Sequence, residues 1–190
     1  MKFMRVIAGC AKGLALKAPK GMKTRPTTDK VKGAMFNVLA DLVVEAKVLD
    51  AFAGSGALGI EALSRGAAQV DFFDRDRQAV AVIKDNLTRA KMTEHASVRM
   101  GQVEKMLTVS PKGYNLVFLD PPYNQGFIRI MEDVLLAEDV LAEDVVVVLE
   151  TNSRDMELFS SDLWECYKTS VYGDTAVVYY GFKSFKAENV

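Results

Sequence analysis

The 190-residue chain predicts an α/β fold: a mostly parallel sheet wound on both faces by helices and finished by an antiparallel C-terminal hairpin. Three observations predict it. From Lys47 onward, short runs that are apolar on both faces alternate with stretches of helical periodicity. A glycine-rich stretch, FAGSGALG, follows the first of those runs and opens a helical one. Near the end, 163–172 (LWECYKTSVY) and 175–182 (TAVVYYGF) flank Gly173-Asp174, a tight-turn pair between two strand-like runs.

Taken in order, residues 4–9 (MRVIAG) and 14–18 (LALKA) predict a small β-hairpin around Lys12-Gly13. Pro19, Gly21 and Pro26 mark a loop. Thr27-Thr28-Asp29 then offers an N-cap to a helix with Val31, Met35, Phe36 and Leu39 at helical spacing. Strands are predicted over 47–52, 69–74, 96–100, 114–119 and 144–150, and helices over 57–65, 76–91, 102–109 and 126–137. The chain thus divides into a basic N-terminal hairpin and loop, 1–30, and a larger α/β domain, 31–190.

Composition excludes several classes. Hydrophobic residues at 49% and charged residues at 26% are ordinary for a globular domain. No apolar run approaches the roughly 18 residues of a membrane span. The start, MKFMRVIAGCAKGLAL, superficially resembles a signal peptide, but Lys12 interrupts its apolar stretch. Cys10 and Cys166 have no ligand or disulfide spacing. We therefore expect a cytoplasmic, metal-free protein, and separately expect a monomer, which composition does not decide. Residues 1–32 hold nine Lys/Arg and one acid, Asp29, so a segment of charge +8 precedes a body of charge −9. That asymmetry suits a polyanion handled at one end, with Lys12, Lys17 and Lys23 as candidate contacts; a solvated lysine-rich hairpin is the bland alternative.

Gly54, Gly56 and Gly59 fit G-x-G-x-x-G between a strand and a helix. Asp74 ends the second strand 20 residues after Gly54, where an acid can accept hydrogen bonds from ribose hydroxyls. Asp50 stands immediately before the loop, where it would repel a diphosphate. The D-x-F-x-G-x-G form, Asp50 to Gly56, resembles the first motif of methyltransferases that use S-adenosylmethionine (SAM). That resemblance implies a phosphate-free cofactor held by Asp50, Phe52, Ala53, Gly54, Ser55, Gly56, Gly59, Asp74, Arg75, Gln102 and Val103.

The run LDPPY closes the fourth predicted strand of the α/β region, at the sheet edge where open α/β sheets bind ligands. It matches the [DNS]-P-P-[YFW] signature of methyltransferases acting on exocyclic base amines. The Asp120 carboxylate and the Pro121 carbonyl could accept the two amine hydrogens and so free the nitrogen lone pair. The adjacent Pro121 and Pro122 stiffen the backbone, and Tyr123 could stack an extruded base. His95 falls in a polar loop and is read as structural. RVIAG, RPTTDKVKGAMFNVL, VLDAFAGSGALGIEALSRGA and FLDPPY together resemble the RsmD family from Arg5 to Tyr180. The family comprises bacterial methyltransferases of the N2 amine of a guanine in 16S ribosomal RNA. The resemblance implies that Arg25, Pro26, Thr27 and Thr28 border the pocket and that the hairpin grips RNA phosphates. Two positions depart from it: Gln102 stands where the family carries an acid near the cofactor's adenine, and Leu14 where an arginine is common. An adenine-N6 DNA methyltransferase, an NAD-dependent oxidoreductase and a non-catalytic RNA-binding assembly factor remain alternative readings.

Overall fold

A computed structural model describes residues 4–19, 27–107, 113–122, 126–137 and 140–183. Strands β1 (Met4–Arg5) and β2 (Ala15–Leu16) form the expected hairpin, extended by Val6 N–H to Leu14 O and Gly13 N–H to Val6 O, both 2.9 Å. They are shorter than predicted because residues 7 and 8 leave the ladder: their amides donate to the Glu61 carboxylate at 2.7 and 3.0 Å. Helix α1 (Asp29–Leu39) starts at Thr28, whose hydroxyl accepts from Val31 N, with Asp29 favourably placed in the first turn. Its buried residues include Val31, Met35, Phe36 and Leu39, the four predicted from spacing.

Among the described residues, seven strands then share one sheet. They are β3 (Lys47–Asp50), β4 (Gln69–Asp74), β5 (Ala96–Met100), β6 (Tyr114–Leu119), β7 (Leu141–Asn152), β8 (Trp164–Tyr172) and β9 (Thr175–Phe182), in the order β5-β4-β3-β6-β7-β9-β8. The first five pair in parallel, and β9 joins β7 and β8 antiparallel, as predicted. The helices between are α2 (Ala57–Ser64), α3 (Arg77–Ala90), α4 (Val103–Leu107) and α5 (Phe127–Leu136). β3 stops at Asp50, two residues early, where the chain turns into the glycine loop. β7 outruns its predicted 144–150 because β9 stays paired to it as far as Asn152. Residues 108–109 of the predicted 102–109 helix lie outside the described residues.

Strand alternation divides the core into two layers. Val48, Phe72, Leu116, Phe118, Val146 and Val148 pack with α1, α2 and α3 on one face. Leu49, Phe73, Val117, Leu119, Val147 and Leu149 pack with α4 and α5 on the other. Helix α2 lies very close to the sheet: a Cβ on Gly59 would sit 2.3 Å from the Phe72 ring. From β3 the chain builds outward one way to β4 and β5, and from β6 the other way to β7. The crevice therefore opens beyond the C-terminal ends of β3 and β6.

A buried polar knot fastens the hairpin to this body. Glu61, fully buried on α2, accepts from Ile7 N, Ala8 N, Lys32 Nζ (3.2 Å) and Arg65 Nε (2.9 Å), and Lys32 Nζ also donates to Arg5 O. Asn86 on α3 bonds both backbone groups of Lys17 and the carbonyl of Ser55. Part of the basic charge is paired within the chain, one pair buried and two at the surface. Lys32 is buried against Glu61, Arg5 pairs with Asp29 at 2.9 Å, and Lys17 pairs with Asp85 at 3.0 Å. Among the described residues, no helix is long and apolar enough to cross a membrane.

Candidate active site

The glycine loop turns on two residues with positive φ, Gly54 (54°) and Gly56 (75°), a region that side chains make costly. Asp74 holds the loop: its Oδ2 accepts from Gly54 N at 2.8 Å and its Oδ1 from Asp76 N at 2.8 Å. Asp50 is buried, with Oδ2 accepting from Gly59 N at 3.0 Å. Burial pushes its carboxyl up to about 7; the Gly59 bond opposes that rise and the Asp74 charge adds to it.

A cavity of about 200 Å³ sits at this edge of the sheet. Of the predicted cofactor residues, Asp50, Phe52, Ala53, Gly54, Ser55, Asp74, Arg75, Gln102 and Val103 line it. Gly56 and Gly59 do not. Gly56 makes the turn into α2, and Gly59 lets that helix approach β4. Asp120 and Pro122 line the same cavity, whereas Pro121, between them, is buried and does not line it. Among the described residues no donor meets the Asp120 carboxylate. Burial pushes it well above the usual carboxylate range, and the charges of Glu150 and Asp50 push it further.

Thr27 also reaches the wall, with its hydroxyl donating to Glu150 Oε2 at 2.7 Å. Thr28 is engaged as the α1 cap, away from the cavity wall. Lys12 is exposed in the hairpin turn. Lys23, Arg25, Pro26 and Tyr123 lie outside the described residues. Leu14, read as a lost arginine, packs half-buried against the core.

Sequence reasoning missed Met4, Leu58, Glu104 and Phe127 in the wall, and Glu150 beside it. Phe127 meets Phe52 edge-on, their ring centroids 5.8 Å apart. Only Glu150 carried a readable signal: an acid closing the apolar run VVVVL, at the same sheet edge as Asp120.

The family model described as Conserved hypothetical protein 95 matches residues 4–181. The chain belongs to this family, the RsmD family. This RsmD-family chain is 42% identical over 182 residues to YlbH of Bacillus subtilis, provisionally named an rRNA methyltransferase; the match covers 93% of this chain and 98% of YlbH. It is 34% identical to ribosomal RNA small subunit methyltransferase D of Escherichia coli, over 91% of this chain and 87% of that one. Among solved structures it superposes on a chain from Escherichia coli, provisionally described as the methyltransferase yhhF, with a TM-score of 0.86 at 31% identity. That superposition covers 96% and 99% of the two chains.

Proposed function

We propose that the protein transfers a methyl group from SAM to the exocyclic N2 amine of a guanine in 16S ribosomal RNA. The observation that carries this reading is one cavity lined by both the Asp50–Gly54–Asp74 loop and Asp120 of the LDPPY run. Family membership supports it: the Bacillus subtilis and Escherichia coli relatives described above both carry names of ribosomal RNA methyltransferases.

The wall fits SAM better than a dinucleotide. Four carboxyl groups, Asp50, Asp74, Glu104 and Asp120, against one cationic side chain, Arg75, line a cavity otherwise rich in small and apolar groups, which disfavours a pyrophosphate and suits a cation. Phe52, Leu58, Val103 and Phe127 offer apolar surface to an adenine. Asp74, Arg75 and Gln102 offer polar groups to a ribose and to the base edge; the Gln102 carbonyl replaces the family's acid as acceptor. When bound, SAM supplies an electrophilic methyl group on a sulfonium. The chain's own part is positioning. The Asp120 carboxylate and the Pro121 carbonyl accept the two amine hydrogens, so the nitrogen lone pair leaves the ring plane. Tyr123 stacks the extruded base. Lys12, Lys17, Lys23 and Arg25 meet RNA phosphates, and Thr27 and Thr28 order the approach to the pocket. We read the protein as a cytoplasmic monomer that acts on ribosomal RNA or on the small-subunit particle.

The test is labelled methyl transfer from SAM to unmodified small subunits and to naked 16S RNA, followed by digestion to nucleosides. N2-methylguanosine is the expected product. N6-methyladenosine, or binding of NADH in place of SAM, would overturn the reading.

A further inference from the structure

Three acids lie at or near the C-terminal ends of three neighbouring strands: Asp50 ends β3, Asp120 follows β6, and Glu150 precedes the end of β7 by two residues. Register pairs Asp50 of β3 with Phe118 of β6, and Leu119 of β6 with Leu149 of β7, so Asp120 and Glu150 leave the sheet side by side. By alternation all three share the face of Val48, Phe118 and Val148, the face that α1 covers. Glu150 is only 4% exposed, and Thr27, just ahead of α1, holds its Oε2 at 2.7 Å. The charges around Asp120 are those of Glu150 from β7 and Asp50 from β3, with Asp74 of β4 beyond Asp50. The charged groups of α1 and α2 packed on this face, Lys32, Glu61 and Arg65, are spent on one another. Among the described residues no cation pairs with the three acids.

Resting on the methyltransferase reading above, we propose that Glu150 is a positioning residue: held by Thr27 beside Asp120, it makes Asp120 the acceptor of the proton that the amine releases. The amine lone pair forms the N–C bond and the C–S electron pair leaves with sulfur. One N–H proton passes to the Asp120 carboxylate, its bonding pair staying on nitrogen, and the neutral acid later returns that proton to water. A carboxylate beside a second buried carboxylate takes up a proton readily, because one proton relieves the repulsion of both. Burial raises the Glu150 carboxyl above the usual range; the Thr27 hydrogen bond opposes that rise, an aid that Asp120 lacks among the described residues for its own ionised form, and so directs the proton to Asp120.

The test combines two measurements on wild type, Glu150→Gln, Glu150→Asp and Thr27→Val. Carboxyl NMR of the cofactor-free protein, labelled at aspartate and assigned with Asp120→Asn, follows the Asp120 titration. Steady-state methylation of 16S RNA gives kcat and KM against pH. In Glu150→Gln the Asp120 titration and the acid limb of kcat should both move down by about one pH unit or more. The kcat plateau should fall roughly tenfold with KM for RNA little changed, and Glu150→Asp should restore part of it. Thr27→Val should shift the titration the same way by less, and it decides the matter if Glu150→Gln does not fold. An active wild type whose Asp120 titration ignores both variants, or a rise in KM alone, overturns the role of Glu150. A wild type that methylates no RNA overturns the methyltransferase reading, and this role with it.

Discussion

The Gly59 amide donates to Asp50 Oδ2 at 3.0 Å, so α2 docks on the sheet through the same acid that borders the cavity. That carboxyl titrates near 7 in the folded protein, against roughly 3.9 in an unfolded chain. The native state thus keeps a proton that the unfolded chain has lost, and its contribution to stability declines as pH rises from about 4 to about 7. Asp50→Asn keeps an acceptor for Gly59 and removes the titration. Relative to wild type, the variant should gain roughly 2–4 kcal/mol in urea-unfolding stability between pH 4 and pH 8. Parallel pH curves would show that Asp50 does not titrate in this window.

Gly59 faces Phe72 with no room for a methyl group. Gly59→Ala should destabilise by about 1–3 kcal/mol, since neither the helix nor the buried ring can move cheaply. Gly33 on α1 is the control: its nearest neighbour for a Cβ is Ile7 at 3.9 Å, and Gly33→Ala should stabilise by up to about 1 kcal/mol. Thermal melts of the two variants should move in opposite directions.

Glu61→Ala should cost about 3–5 kcal/mol, because it leaves the buried Lys32 ammonium uncompensated. Burial already holds Lys32 below the usual lysine range, with Glu61 opposing that shift. Adding Lys32→Met should recover most of the loss in denaturant unfolding. A double variant no better than the single would mean that the backbone amides of Ile7 and Ala8, not the ammonium, depend on Glu61.

Asp120→Ala should lower kcat at least about 100-fold while SAM affinity, read by calorimetry, stays within a few-fold. Full turnover in that variant would refute the role given to the carboxylate.

Lys12→Glu should weaken RNA binding and flatten its salt dependence by about one unit of slope. Lys17→Glu should do less in that respect, because Lys17 already pairs with Asp85. Equal effects would indicate that the Asp85 pair opens when RNA binds.

The parallel sheet, the terminal hairpin, the cap at Thr28 and the acids at the strand ends were legible because each is written in neighbouring residues. A two- or 3.6-residue period marks an element, and a glycine marks a turn. Residues 4–9 misled for the complementary reason. Their strand pattern is genuine, but the Glu61 carboxylate, more than 50 positions away, takes the amides of residues 7 and 8 out of the ladder. Lys32 misled in the same way: it reads as surface charge and is buried against Glu61.

By itself, then, the amino-acid order determined which strands are buried, where the glycine loop turns and that Asp120 stands at a strand end. Tertiary structure alone decided that Glu150 and Thr27 meet beside Asp120, that Met4 and Phe127 join the cavity wall, and which lysines pair with acids of the same chain. The physical reason is range. Backbone preference and periodicity act over a few residues, whereas the energy of a carboxylate depends on whichever groups the fold brings near it, however distant in sequence.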